Sequence, residues 1–163
     1  MSDSRARRIL EEIVIRIKAL SLSGITSTNI VALKGAVTAE ALAHCLPGKP
    51  GIVAMIVDAE SIDQLGPSPV EYDDIGYPVL IGFIDCQMTE DQDDSDDRER
   101  YWRELVRRNF IRQRLVETTT AAVLAYTCTV EHRASVNAAV LKGPSKLWAS
   151  SLVLRFHARE ARI

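Results

Sequence analysis

Six acids and no base lie between Glu90 and Asp97, and seven arginines against two glutamates follow between Arg98 and Arg114. Side chains of these types do two kinds of chemistry. Crowded carboxylates hold a hard cation, and guanidinium forks hold phosphate or carboxylate oxygens. The acidic stretch from Asp91 to Asp97 sets oxygens at the first, third, fifth and seventh places of a calcium loop. It has Asp96 where the turn needs glycine and Trp102 where the bidentate glutamate should close the cage. Residues 90–97 therefore read as a solvated loop whose last acids favour the start of the next helix.

Arg100, Arg103, Arg107 and Arg114 share one face by helical spacing, with Arg108 at its border. Such a stripe suits a polyanion or a partner's acids. The net charge of -2 gives no overall basic footprint. No aromatic platform interleaves with the arginines, and no helix-turn-helix punctuation surrounds them. The reading is a protomer or partner interface in which Arg100, Arg103, Arg107 and Arg114 meet Asp93, Asp94, Asp96 and Asp97 of another copy. The alternative is a nucleic-acid-binding accessory domain using helix 98–114.

Other chemistry finds less support. Cys128 and His132 share a strand face and His44 precedes Cys45, but zinc needs four converging ligands and no second close pair exists. Asp58 and Glu60 end a strand as paired acids do in some metal-dependent nucleases. Asp85 is the only acid on the next strand, and no lysine stands beside it. There is no Gly-x-Ser-x-Gly elbow and no phosphate loop. The chain reads as a non-enzyme without metal or cofactor. Cys45, Cys86 and Cys128, odd in number and in apolar surroundings, read as buried free thiols of a reducing compartment. No secretory leader and no membrane-spanning run is read.

The elements that would position these residues follow from periodicity. Ile9, Leu10, Ile13, Val14, Ile17 and Leu20 form one apolar stripe on a helix over 5–20, with Ile15 outside it. Asn29–Leu33 reads as a short edge strand, and Thr38–Cys45 as a short helix ended by Leu46-Pro-Gly-Lys-Pro-Gly51. Strands are predicted at 52–58, 77–86, 122–132 and 150–159. A second helix is predicted at 98–115, with Trp102, Leu105, Val106 and Phe110 inward. Together these predict one α+β domain over residues 1–163. Its mixed or antiparallel sheet has about four strands, with the two amphipathic helices packed on one face. Extended loops are expected at 59–76 and 134–149. With 163 residues, 47% hydrophobic and 26% charged, the chain has enough apolar content for one core.

The series of segments resembles the tail-terminator or tail-completion proteins of long-tailed bacteriophages. An opening helix (ILEEIVIRIKAL) leads to a Leu-Pro-Gly loop and strand (LPGKPGIVAMIVDAESI). A Tyr-led strand (YPVLIGFIDCQ), a polar gap, a helix (YWRELVRRNF) and two late strands ending in SSLVLRFHAREAR follow. The resemblance covers most of the chain as a pattern of elements. It implies a structural virion protein, assembled in the host cytoplasm, that forms a homo-oligomeric and usually hexameric ring at the head-proximal end of the tail tube. Its implied partners are the tail tube protein and the head-connector protein. No membrane is involved, and nucleic acid enters only as DNA passing through the ring. The long loops fit arms reaching a neighbour, and the segregated charges fit a head-to-tail contact between copies.

Overall fold

The computed structural model describes residues 4–33, 50–57, 61–62, 72–86, 92–131 and 147–161. Helix α1 spans Arg5–Ala19 and starts where the side chain of Ser4 accepts a hydrogen bond from the backbone N–H of Arg7 at 3.4 Å. Ile9, Leu10, Ile13, Val14 and Ile17 of its apolar stripe are buried as the spacing predicts, Leu20 lies just past the helix end and is partly buried, and Ile15 lies 44% exposed outside the stripe. Each of the large aliphatic side chains so buried contributes on the order of 1.5–3 kcal/mol.

The other elements are strands β1 (Ile30–Ala32), β2 (Gly51–Ile56), β3 (Ser61–Ile62) and β4 (Tyr72–Cys86), then helix α2 (Gln92–Phe110). Strands β5 (Leu115–Val116), β6 (Val123–Ala125), β7 (Thr127–Glu131) and β8 (Leu147–Ala161) follow. The main sheet runs β1-β2-β4-β8-β7, with β3 beside β4; a second small sheet pairs β5 with β6. β1 is parallel to β2, and every other pairing is antiparallel. The α+β class holds, but the strands outnumber the four expected, because the expected 122–132 strand is divided and short edge strands join the sheet.

The sheet is built on β4 and β8, which pair from Tyr72↔Ala161 to Cys86↔Leu147. Alternation sorts their side chains. Tyr77, Val79, Ile81 and Phe83 of β4 and Leu152, Leu154, Phe156 and Ala158 of β8 join the core that also takes the buried stripes of α1 and α2. Phe110 of α2 meets Phe156 edge-on at 5.8 Å between ring centroids. Pro78 is tolerated within β4 because it stands opposite the end of β2. Its carbonyl accepts from Val57 N at 3.0 Å, just past the end of β2. Pro78 has no N–H to give on that side, and among the described residues β4 next pairs at Gly76↔Ser61 in β3. Gly82 is fixed by close approach, since a Cβ there would lie 2.9 Å from Val53 Cγ2.

Several expectations are corrected. The acidic stretch is not a loop from residue 92 onward: α2 begins at Gln92, where carboxylates suit the positive end of the helix dipole. α2 ends at Phe110 and not at 115. Arg112 takes a left-handed φ of 58°, and its N–H donates to Cys128 O on the edge of β7 at 2.9 Å. The expected strand at 122–132 is two. Leu124 and Ala125 are buried in succession, which breaks the period of a single strand, and Cys128 resumes it in β7 beside β8. Residues 61–62, 72–76 and 147–149 are strand, so the expected loops at 59–76 and 134–149 are shorter than read. Their remaining residues, and the helix expected at 38–45, lie outside the described residues.

Candidate interface on the second helix

Helix α2 is held to the core by Trp102, Val106 and Phe110, all essentially buried, with Leu105 partly buried beside them. The Trp102 indole N–H donates to Ser23 O at 2.9 Å, which ties α2 to the segment after α1. Gly24, at φ 82°, brings that segment against the indole, and the Arg98 guanidinium lies 5.8 Å over the same ring. Glu99 faces inward and is only 2% exposed. It accepts from Arg103 Nε at 2.9 Å and Nη2 at 2.5 Å, and from the Ser150 hydroxyl of β8.

These contacts sort the residues expected to form the interface. Asp97, Arg100 and Arg107 stand in solvent on α2. Asp93, Asp94 and Asp96 belong to its first turns, and their side chains lie outside the described residues. Arg103 is turned toward Glu99 of its own helix, four residues back, and serves α2 before any partner. Arg114 does not share their helical face: it lies beyond the end of α2, after the left-handed Arg112, and is exposed. Arg108 pairs with Glu104 at 2.5 Å.

Tyr101, 53% exposed, was missed by sequence reasoning. The signal was present, since Trp102, Val106 and Phe110 fix the inner face by their spacing of four and Tyr101 must then point away. Its ring stands on the outer side of α2, where helical spacing sets it beside Asp97, Glu104 and Arg108, while Arg100 and Arg107 flank it on the adjoining exposed side. Tyrosine and arginine are the types that most often anchor protein interfaces, because both give large contact area with a polar tip.

The other polar groupings are closed structures. On the outer face of the sheet, Arg159 Nε meets Asp74 Oδ1 at 3.0 Å, Arg155 meets Glu131 at 3.7 Å, and Thr129 Oγ1 lies 2.9 Å from His157 Nε2. The first is a cross-strand pair between register neighbours, and the other two run diagonally between β7 and β8. Burial pushes the Cys128 thiol up to about 12, so it is not a nucleophile at neutral pH. Its expected companion His132, along with Asp58, Glu60, His44, Cys45 and the side chains of Asp85 and Cys86, lies outside the described residues. Among the described residues, no group of three His, Cys, Asp or Glu is placed to hold a metal, and no helix is long and apolar enough to cross a membrane.

No family model matches the chain, and no curated protein matches it significantly.

Proposed function

We propose that this chain is a structural subunit of a long-tailed phage particle that assembles into a ring on the head-proximal end of the tail tube, ending tube growth and joining tail to head. The role comes from the resemblance of the segments. The support from the molecule is that Tyr101, Arg100 and Arg107 of α2 all stand in solvent, while the acids of residues 93–97 occupy the first turns of the same helix. A ring needs a heterologous contact, in which one patch meets a different patch on the next copy. A helix with acids at one end, arginines toward the other and an aromatic anchor between them supplies both patches on one rigid element. The opposed charges steer the approach and fix the register, and Tyr101 supplies apolar area to bury. The finer sheet description, with two helices on one face and long arms reaching a neighbour, belongs to the same reading.

Light scattering across protein concentration, with and without a phage tail tube protein, tests this directly. The ring reading expects a discrete oligomer that grows with concentration or with tube protein present. A monomer at every concentration and with the tube protein present sinks it.

A further inference from the structure

The turn from α2 into β5 gathers charge that the described residues neutralise only in part. Arg107, Arg108 and Asn109 at the end of α2, and Arg112, Gln113 and Arg114 after it, are all exposed. The described acids that border this patch are each already engaged, one of them by Arg108 of the patch itself. Glu104 pairs with Arg108 at 2.5 Å, Glu117 pairs with Arg8 at 2.8 Å, and the buried Glu12 accepts from Thr118 and Arg16. Arg107, Arg112 and Arg114 are left without a carboxylate among the described residues.

The backbone beneath them is fixed. Ile111 N bonds Arg107 O at 3.0 Å, Arg112 N bonds Cys128 O at 2.9 Å, and Gln113 N bonds Phe110 O at 3.1 Å. Arg16 reaches across to the carbonyls of Arg114 and Val116 at 3.3 Å and 3.0 Å. Arg112 adds a second, independent observation. Its φ of 58° is the conformation that glycine adopts without cost after a helix, yet a long cation occupies it and points into solvent. Strain of this kind clusters at functional sites, and Arg112 joins it to an exposed cation where Ala121, at φ 57°, carries only a methyl group.

We propose that this turn binds the phosphate backbone of a nucleic acid through Arg107, Arg112 and Arg114. Guanidinium forks match phosphate oxygens in pairs, and amides such as those of Asn109 and Gln113 commonly complete such contacts. An acidic protein is the lesser fit. Protein interfaces carry an apolar or aromatic centre, and among the described residues the exposed large hydrophobics, Ile15, Tyr72, Tyr101 and Val123, are not part of the 107–114 segment. The contact is independent of sequence in the nucleic acid. It stands on residues around and beyond the end of α2, and does not require the ring reading.

The test is fluorescence anisotropy of the full chain with a short random-sequence DNA duplex, at salt from about 50 to about 200 mM. Binding is expected at low salt, with a log–log salt slope of roughly −3 for three arginines. Arg112→Gly with Arg114→Ser is expected to lower affinity on the order of tenfold and to bring the slope toward roughly −1. Arg112→Gly alone separates use from fold. It relieves the left-handed strain, so the melting temperature should rise by about 2–4 °C while binding weakens. No duplex binding at low salt, a double variant that binds as the parent does, or a fall in melting temperature for Arg112→Gly would each overturn the proposal. Equal competition by polyglutamate would also overturn it, by assigning the turn to an acidic protein. Light scattering on the same variants reads the ring separately, since neither substitution removes Arg100 or Tyr101.

Discussion

Arg8 and Glu117, separated by most of the chain, meet as a two-pronged ion pair with Nε to Oε1 at 2.9 Å and Nη2 to Oε2 at 2.8 Å. This contact pins the β5–β6 hairpin to α1. The hydrogen bond from Arg8, helped by one from Thr120, lowers the Glu117 carboxyl from its ordinary 4.5 to about 2. A depressed carboxylate adds stability above its unfolded-state value and loses it as pH falls through the folded value. The acid limb of the stability profile should therefore steepen between pH 4.5 and about 2. Glu117→Gln should flatten that limb while lowering the melting temperature at neutral pH. Thermal melts of both proteins across this range check it, and an unchanged acid limb would show that the pair contributes nothing.

Arg103 should behave as part of the fold and Arg107 as part of the surface. Arg103→Ala takes a guanidinium from a carboxylate that is only 2% exposed. The loss should be roughly 1–3 kcal/mol, toward the lower end because Arg103 itself is 39% exposed and water replaces part of the contact. Arg107→Ala should change stability by less than about 0.5 kcal/mol. Urea unfolding of the two variants checks the contrast, and equal losses would contradict it.

The β5–β6 turn stores a removable strain. Ala121 has a φ of 57°, and its N–H closes the turn onto Glu117 O at 2.9 Å. An L side chain is disfavoured there, so Ala121→Gly should stabilise the protein by roughly 0.5–1 kcal/mol, despite the extra freedom glycine gives the unfolded chain. A destabilised variant would mean that the methyl group has a contact that matters more than the backbone strain.

The ring contact makes the most specific demand on sequence. Reversing Arg100 and Arg107 to glutamate should dissociate the oligomer through repulsion from the acids at residues 93–97 of the neighbouring copy. Lysines placed at Asp93 and Asp94 in the same chain should restore it. Tyr101→Ala should weaken the oligomer without loss of fold, at a cost of about 2 kcal/mol or more per contact if the ring is a true anchor. Sedimentation velocity on the three variants decides the matter. Failure of the lysines to rescue assembly would leave the acids as helix-terminal charges serving α2 alone.

What the sequence by itself determined is the set of elements whose period is carried by their own residues. The α1 stripe, the inner face of α2 at Trp102, Val106 and Phe110, and the alternation through Leu152, Leu154 and Phe156 were all legible. Burial of one face imposes a period that no other arrangement satisfies. The tertiary structure decided what depends on a distant partner. α2 ends at Phe110 because Cys128 O, on the sheet edge, captures the N–H of Arg112, a bond that local propensity does not encode. The 122–132 segment divides because one half packs beside α1 and the other pairs with β8. Glu12 and Glu99 are buried because Thr118, Arg16, Arg103 and Ser150 surround them, which no reading of charge along the chain reveals. The same holds for the arginines. Spacing placed seven of them in one stretch, and only the fold separated Arg103 and Arg108, spent on their own helix, from Arg100, Arg107, Arg112 and Arg114, which face solvent. Charge in a sequence is an inventory; which charges remain available is settled by the carboxylates that folding brings within reach.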